Sequence, residues 1–130
     1  MTKTAAQVDT GGGLQVEAVE LIRIAMPLVS PFRTSFGVET ARDVLLVHLI
    51  GSDAEGWGEC VAMDEPLYSS EYVAGAQHVI VQHLLPRLLA ADAVRAEDVA
   101  TLLAPIRGHR MAKAAVEMAW LDAELRRDNL

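Results

Sequence analysis

The spacing of apolar residues changes period once, near residue 70, and that change restricts the chain to strands first and helices afterwards. Between Gln15 and Met26 the residues Val16, Ala18, Ile22, Ile24 and Met26 share one face, with Glu20 the exception. Val19 and Leu21 make the opposite face partly apolar as well. This spacing predicts a strand, ended by Pro27, and Pro31 marks the loop that follows. Val44 to Ile50 is a second β-rich run, interrupted only by His48. Gly51 to Gly56 is dense in turn residues, and Trp57 to Met63 reads as the partner strand of an antiparallel hairpin. The Gln15 strand is expected as the third member of that sheet.

Past the change of period the pattern is helical. Ser69 or Ser70 can cap a first helix, Glu71 suits its first turn, and Val73, Ala76, Ile80 and Leu84 recur at helical spacing. Pro86 is expected to kink or end it. A short second helix is predicted from Ala96 to Ala104, stopped by Pro105. After a break at Gly108 the last helix runs from about Arg110 to Arg127. Its apolar stripe is Met111, Ala114, Ala115, Met118, Leu121 and Leu125, with Ala112 and Ala119 thinning an adjacent face so that another backbone can approach. Three strands followed by three helices predict an α+β fold, a three-stranded antiparallel sheet followed by a helical bundle. The expected division is a disordered leader over 1–14 and one domain over 15–130. Gly11, Gly12 and Gly13 in that leader have no strand before them and no Lys-Ser/Thr after them, so they read as a flexible joint rather than a phosphate loop.

Composition narrows the function. The formal net charge is −7 with only 11 basic residues, scattered, which argues against nucleic acid and an anionic membrane surface. No apolar run reaches the roughly 18 residues of a membrane span, and residues 1 to 13 hold no signal-peptide core. A soluble, cytoplasmic protein is the expectation. Cys60 is the one cysteine, so neither an internal disulfide nor a cysteine zinc site is available.

A complete set of catalytic groups is not found. His78 and His83 are five apart and are not expected to share a helix face as an i, i+4 metal pair would, so both read as surface or packing residues. His109 reads as a helix-start residue and His48 as a half-buried polar residue in a strand. Glu59 could serve as a general base, yet without a partner acid or metal ligand it reads as a structural anchor. Glu117 lies four residues after Lys113, the spacing of a solvated ion pair, and Asp122 is explained by a buried hydrogen bond. No catalytic residue and no metal ligand is assigned. The positive signal is a pair of irregular loops, Leu28 to Thr40 and Met63 to Ser69, at the ends of neighbouring strands. They bring Phe32, Arg33, Phe36, Met63 and Tyr68 towards one end of the sheet, as a cover for the core edge or as an apolar pocket wall with one cation.

Four stretches resemble the N-terminal capping domain of the enolase superfamily. They are Met26-Pro-Leu-Val-Ser-Pro-Phe-Arg-Thr-Ser-Phe-Gly37, Gly56-Trp-Gly-Glu-Cys60, Pro66-Leu-Tyr-Ser-Ser-Glu-Tyr72 and Gly108-His-Arg-Met-Ala-Lys-Ala-Ala-Val-Glu-Met-Ala-Trp-Leu-Asp-Ala-Glu124. The last identifies the fold. The first and third are similar to the branch of o-succinylbenzoate synthases that also act as N-acylamino acid racemases.

The resemblance implies a sheet and helical bundle capping a (β/α)-barrel, with two mobile loops that close over a small carboxylate substrate. By position, Phe32, Phe36, Met63 and Tyr68, with Arg33 beside them, would line the pocket for the succinyl or acyl side of that substrate. In such enzymes a Lys-x-Lys motif and a second lysine move the proton, and three acidic residues hold Mg²⁺, all within the barrel. Those groups are not in this sequence, and a barrel takes on the order of 250 further residues. The implied parent forms o-succinylbenzoate on the menaquinone pathway, racemises N-acylamino acids, or does both. This chain is not expected to be active without a barrel in cis or in trans. The alternatives are the cap of a dipeptide epimerase or muconate cycloisomerase, or a truncated non-catalytic interaction module. An exposed apolar face along the Ala-rich last helix is expected to drive self-association.

Overall fold

A computed structural model describes residues 12–35 and 37–130. Three antiparallel strands pair in chain order: β1 (Val16–Thr34), β2 (Gly37–Gly51) and β3 (Glu55–Cys60). Helices α1 (Val73–Val79) and α2 (Leu85–Ala90) are joined by a π-helical turn over Ile80–Leu84, and α3 (Ala96–Leu103) and α4 (Arg110–Arg127) complete the chain. The expected α+β order is therefore the observed one, and α4 has the expected bounds.

Register decides which side of the sheet is the core. Val47 faces Leu21 on one side and Gly58 on the other, and Leu49 likewise faces Val19 and Gly56. Side chains alternate across a strand, so Val19, Leu21, Leu45, Val47, Leu49, Gly56, Gly58 and Cys60 share the inner face. A bulge between Val16 and Ala18 shifts the pairing and lets Val16 pack with that set, while Ala18 is exposed.

The inner face is unusually thin along β3, and α4 exploits this. A Cβ on Gly58 would lie 1.9 Å from the Ala115 carbonyl oxygen, and one on Gly56 would lie 2.2 Å from that of Ala119. Helix backbone thus rests directly on strand backbone. The buried face of α4 is Ala112, Ala115, Val116, Ala119, Trp120 and Ala123, the small residues that such an approach requires. This corrects the expected stripe. Met118, Leu121 and Leu125 turn outward and are 45%, 47% and 39% exposed, because the thin alanine face is the one the glycines accept. Asp122 closes the free edge of β3, its carboxylate accepting from the Trp57 N–H (2.9 Å) and from Arg126 Nε (3.0 Å).

Two further expectations are corrected. Pro27 and Pro31 do not end β1, which continues to Thr34 and pairs with the start of β2 as a two-stranded arm. Its register shifts between Pro27 and Phe32. An edge strand tolerates proline because the missing N–H would have pointed away from the sheet. The segment read as an irregular loop over Leu28 to Thr40 is thus mostly hairpin.

The helix after residue 70 also differs: Tyr72, not a serine, is its N-cap, and the chain stays helical through Pro86 to Ala90, with the π turn just before the proline. That wider turn brings the five-apart His78 and His83 rings into edge contact, centroids 6.1 Å apart, on the exposed surface. Lys113 turns back to donate to the Ile106 carbonyl rather than reaching along the helix to Glu117.

The start of the chain is pinned from Gly12 onward. Arg127 Nη1 donates to the Gly12 carbonyl (2.6 Å), and Leu14 is buried and donates its N–H to the Val94 carbonyl (3.0 Å). The rest of the expected leader, residues 1–11, lies outside the described residues. Among those described, no helix is long and apolar enough to cross a membrane.

Cys60 sits on the inner face with only 2% of its surface exposed. Burial pushes its thiol above the ordinary value of 9.0, aided by the charges of Glu71 and Glu59 and opposed by a backbone hydrogen bond from Ala62. Native protein at pH 8 is therefore expected to leave Cys60 unmodified by a thiol reagent that reacts at once in urea. Prompt labelling of native protein would mean that the inner face opens. The unfolded chain loses the thiol proton first, so this group withdraws stability as pH rises past the ordinary value.

Candidate functional site

The sheet is longer than the helices that cover it, and the uncovered end of its inner face is a cleft. Arg23 and Ala25 on β1 and Asp43 on β2 continue the row of Leu21 and Leu45, beyond the first residues of α4. A cavity of about 1210 Å³ opens there. One wall is the sheet and its arm, through Arg23, Ile24, Val38, Thr40, Arg42 and Asp43. The other is the segment after β3, through Val61, Met63, Asp64, Tyr68, Ser69 and Glu71, with Met111 of α4 at the back.

The electrostatics of the sheet wall are set by one pair. Arg23 donates to Asp43 through Nε (3.0 and 3.1 Å) and through Nη2 (2.6 Å), a two-pronged contact between neighbouring strands. The hydrogen bonds it donates to Asp43 raise the Arg23 guanidinium above its usual value, against desolvation that lowers it, with Asp43 and Asp64 adding charge attraction. The wall therefore carries a fixed cation that is already neutralised by Asp43.

The opposite wall is anchored by Glu71. The Val73 N–H donates to the Met63 carbonyl (2.8 Å), closing the segment at its base. Ser69 Oγ accepts the Glu71 N–H (3.2 Å), and the Glu71 carboxylate accepts from the Met111 N–H (3.0 Å to each oxygen) and the Ala112 N–H (3.2 Å). Those two amides belong to the first turn of α4. His109, its N-cap, has the left-handed conformation (φ 54°) and makes no side-chain cap, so Glu71 supplies from 40 residues away what the local sequence does not.

Of the residues expected to form a pocket wall, the structure brings Met63 and Tyr68 together in the cleft, Met63 half-buried and Tyr68 75% exposed. Arg33 is exposed on the arm opposite Val38 and is not one of the cleft residues. Phe32 pairs through its backbone with Glu39; its side chain, and all of Phe36, lie outside the described residues. The sequence reading missed Arg23, Asp43, Glu71 and Met111. Arg23, next after Val19 and Leu21 on the partly apolar second face of the strand, was the available signal.

Glu59 is exposed and does not line the cleft. His48, half-buried as expected, stacks on Trp57 with centroids 3.9 Å apart. Its Nε2 lies 2.6 Å from Glu55 and its Nδ1 3.4 Å from Glu20. Neither His48 nor Trp57 borders the cleft. No group of three His, Cys, Asp or Glu able to hold a metal ion occurs among the described residues.

The family model for the mandelate racemase / muconate lactonizing enzyme N-terminal domain matches residues 18–130. The chain belongs to this family. An N-succinylamino acid racemase from Amycolatopsis sp is 57% identical over 113 residues, which are 87% of this chain and 31% of the relative. An o-succinylbenzoate synthase from Geobacillus stearothermophilus is 36% identical over 115 residues, covering 88% and 31%. Among solved structures, an unknown member of the enolase superfamily from Enterococcus faecalis V583 superposes with a TM-score of 0.80 at 32% identity, covering 88% of this chain and 31% of that one. This mandelate racemase / muconate lactonizing enzyme N-terminal domain therefore spans about 31% of the length of the relatives it matches.

Proposed function

We propose that the cleft is one wall of the substrate site of an o-succinylbenzoate synthase or N-acylamino acid racemase, and that this chain covers substrate without supplying the chemistry. The observation that carries the reading is the meeting of Met63 and Tyr68, from one segment, with the β1–β2 arm around a single cavity at the open end of the sheet. Apolar side chains there would shield the acyl side of a small carboxylate from water and fix its orientation. Phe32, Phe36 and Arg33 belong to the same proposal.

A magnesium ion bound in the whole enzyme would supply positive charge to the substrate carboxylate. The described residues do not form a site for it, so its ligands are proposed to lie in a barrel joined to this segment or carried by a separate chain. Met118, Leu121 and Leu125, outward on α4, offer the apolar surface on which that barrel, or a second copy of this chain, would rest.

A chimera tests the reading. Residues 18–130 replace the matched region of the Amycolatopsis N-succinylamino acid racemase, and both racemisation and o-succinylbenzoate formation are measured. The chimera is expected to be active, and Tyr68→Ala or Met63→Ala in it to lower kcat/KM by about tenfold, unequally for the two substrates. A folded chimera whose substrate preference ignores both substitutions would sink the proposal.

A further inference from the structure

We infer that Glu71 is a positioning residue for the cleft: by holding the first amides of α4 it fixes the segment 63–72, and with it Met63 and Tyr68, against the sheet wall. That this matters for substrate rests on the function proposed above; that Glu71 fixes the segment does not. The segment carries little packing of its own, since Asp64, Glu65, Pro66, Leu67, Tyr68 and Ser70 are all exposed. Its internal hydrogen bonds are few, from the Leu67 N–H to the Glu65 carbonyl (2.9 Å) and from the Glu71 N–H to Ser69 Oγ (3.2 Å). Its one tie to a distant element, among the hydrogen bonds of the described residues, is the Glu71 carboxylate on Met111 and Ala112.

That tie joins opposite charges. The first turn of α4 presents unpaired N–H groups and the positive end of the helix dipole, and Glu71 brings a carboxylate whose two oxygens both engage it. The geometry also explains why the residue borders the cavity beside Met111: the clamp lies at the back of the cleft, where the two walls meet. A loop closed at its base by the Val73–Met63 hydrogen bond, and tied beyond that base by one remote carboxylate, is ordered together with α4. Tyr68, three residues before the clamp, is positioned by it.

The test is amide hydrogen exchange on the 130-residue chain, comparing native protein with Glu71→Ala and Glu71→Gln. In Glu71→Ala, exchange is expected to accelerate about tenfold or more, the size of a lost charge-assisted hydrogen bond, at Met111, Ala112, Leu67 and Val73. The Val47 and Leu49 amides, deep in the sheet, are expected to keep their rates. Glu71→Gln keeps an acceptor oxygen without the charge and is expected to restore part of the protection. It carries the same test should the alanine variant fail to fold.

Acceleration confined to Met111 and Ala112, with Leu67 and Val73 unchanged, would overturn the inference and leave Glu71 a helix cap only. Equal acceleration at all sites would also overturn it, showing a stabiliser of the whole domain. Neither readout involves turnover, so a failed substrate assignment cannot be mistaken for a failed clamp.

Discussion

Gly58→Val is expected to prevent α4 from docking closely against β3 and to lower the urea midpoint of unfolding sharply. A single Cβ at this position would sit 1.9 Å from the carbonyl oxygen of Ala115 and 3.0 Å from the Ala119 nitrogen. These are backbone atoms inside an 18-residue helix, which cannot swing aside as a side chain does. Adding volume to a packed core costs about 1–3 kcal/mol where side chains can shift. Here the helix itself must retreat, separating Ala112, Ala115, Val116 and Ala119 from Leu45, Val47 and Leu49, so the cost lies at or above the top of that range. Domains of this size hold roughly 5–15 kcal/mol in total. Urea titration followed by circular dichroism checks the expectation, with Glu59→Ala on the exposed face of the same strand as control. An unchanged midpoint for Gly58→Val would mean that the helix does not rest on the strand.

Trp120→Ala is expected to cost about 3–5 kcal/mol, the range for emptying a large buried aromatic site. Trp120 heads the largest fully buried side chains. Its Nε1 is buried and finds no hydrogen-bond partner among the described residues. That orphan donor gives the prediction a second limb. Trp120→Phe gives up ring volume but also removes a desolvated N–H, whose burial alone costs about 1–3 kcal/mol. Phenylalanine is therefore expected to be tolerated far better than alanine. Both variants retain Trp57 as a fluorescence probe for the urea midpoint. A phenylalanine variant as unstable as the alanine one would imply that Nε1 does have a partner.

The sequence exposed the large elements because each depends on local periodicity. Alternation in Val44 to Ile50 and helical recurrence from Met111 to Leu125 are visible without knowing what lies opposite. The face of α4 that is buried was misjudged because leucine and methionine outweigh alanine in hydrophobicity, while the choice belongs to two glycines in a strand more than fifty residues earlier. Pro27 and Pro31 read as breakers since a proline's effect depends on whether its strand is an edge, which is a property of the whole sheet. The cleft was half legible. Met63 and Tyr68 stand out as large apolar groups in an irregular segment. Arg23 with Asp43 requires the strand register, and Glu71 with Met111 requires the packing of α4; no spacing rule reaches across 40 residues.

The union of β3 with α4 also has a cost in time. Trp57 and Asp122, which join across the sheet edge, are 65 residues apart in the chain. A ribosome adding about 5–20 residues per second takes roughly 3–13 s to cover that interval. For those seconds the hairpins of β1, β2 and β3 can form, since their pairings are nearest neighbours in sequence, but Leu45, Val47 and Leu49 lack α4, the helix that rests along β3 beside them. A nascent sheet with a flat, glycine-lined strip is open to any other chain that offers small residues. The order of synthesis, strands before the helix that seals them, makes the last helix of this domain the guardian of its first strands.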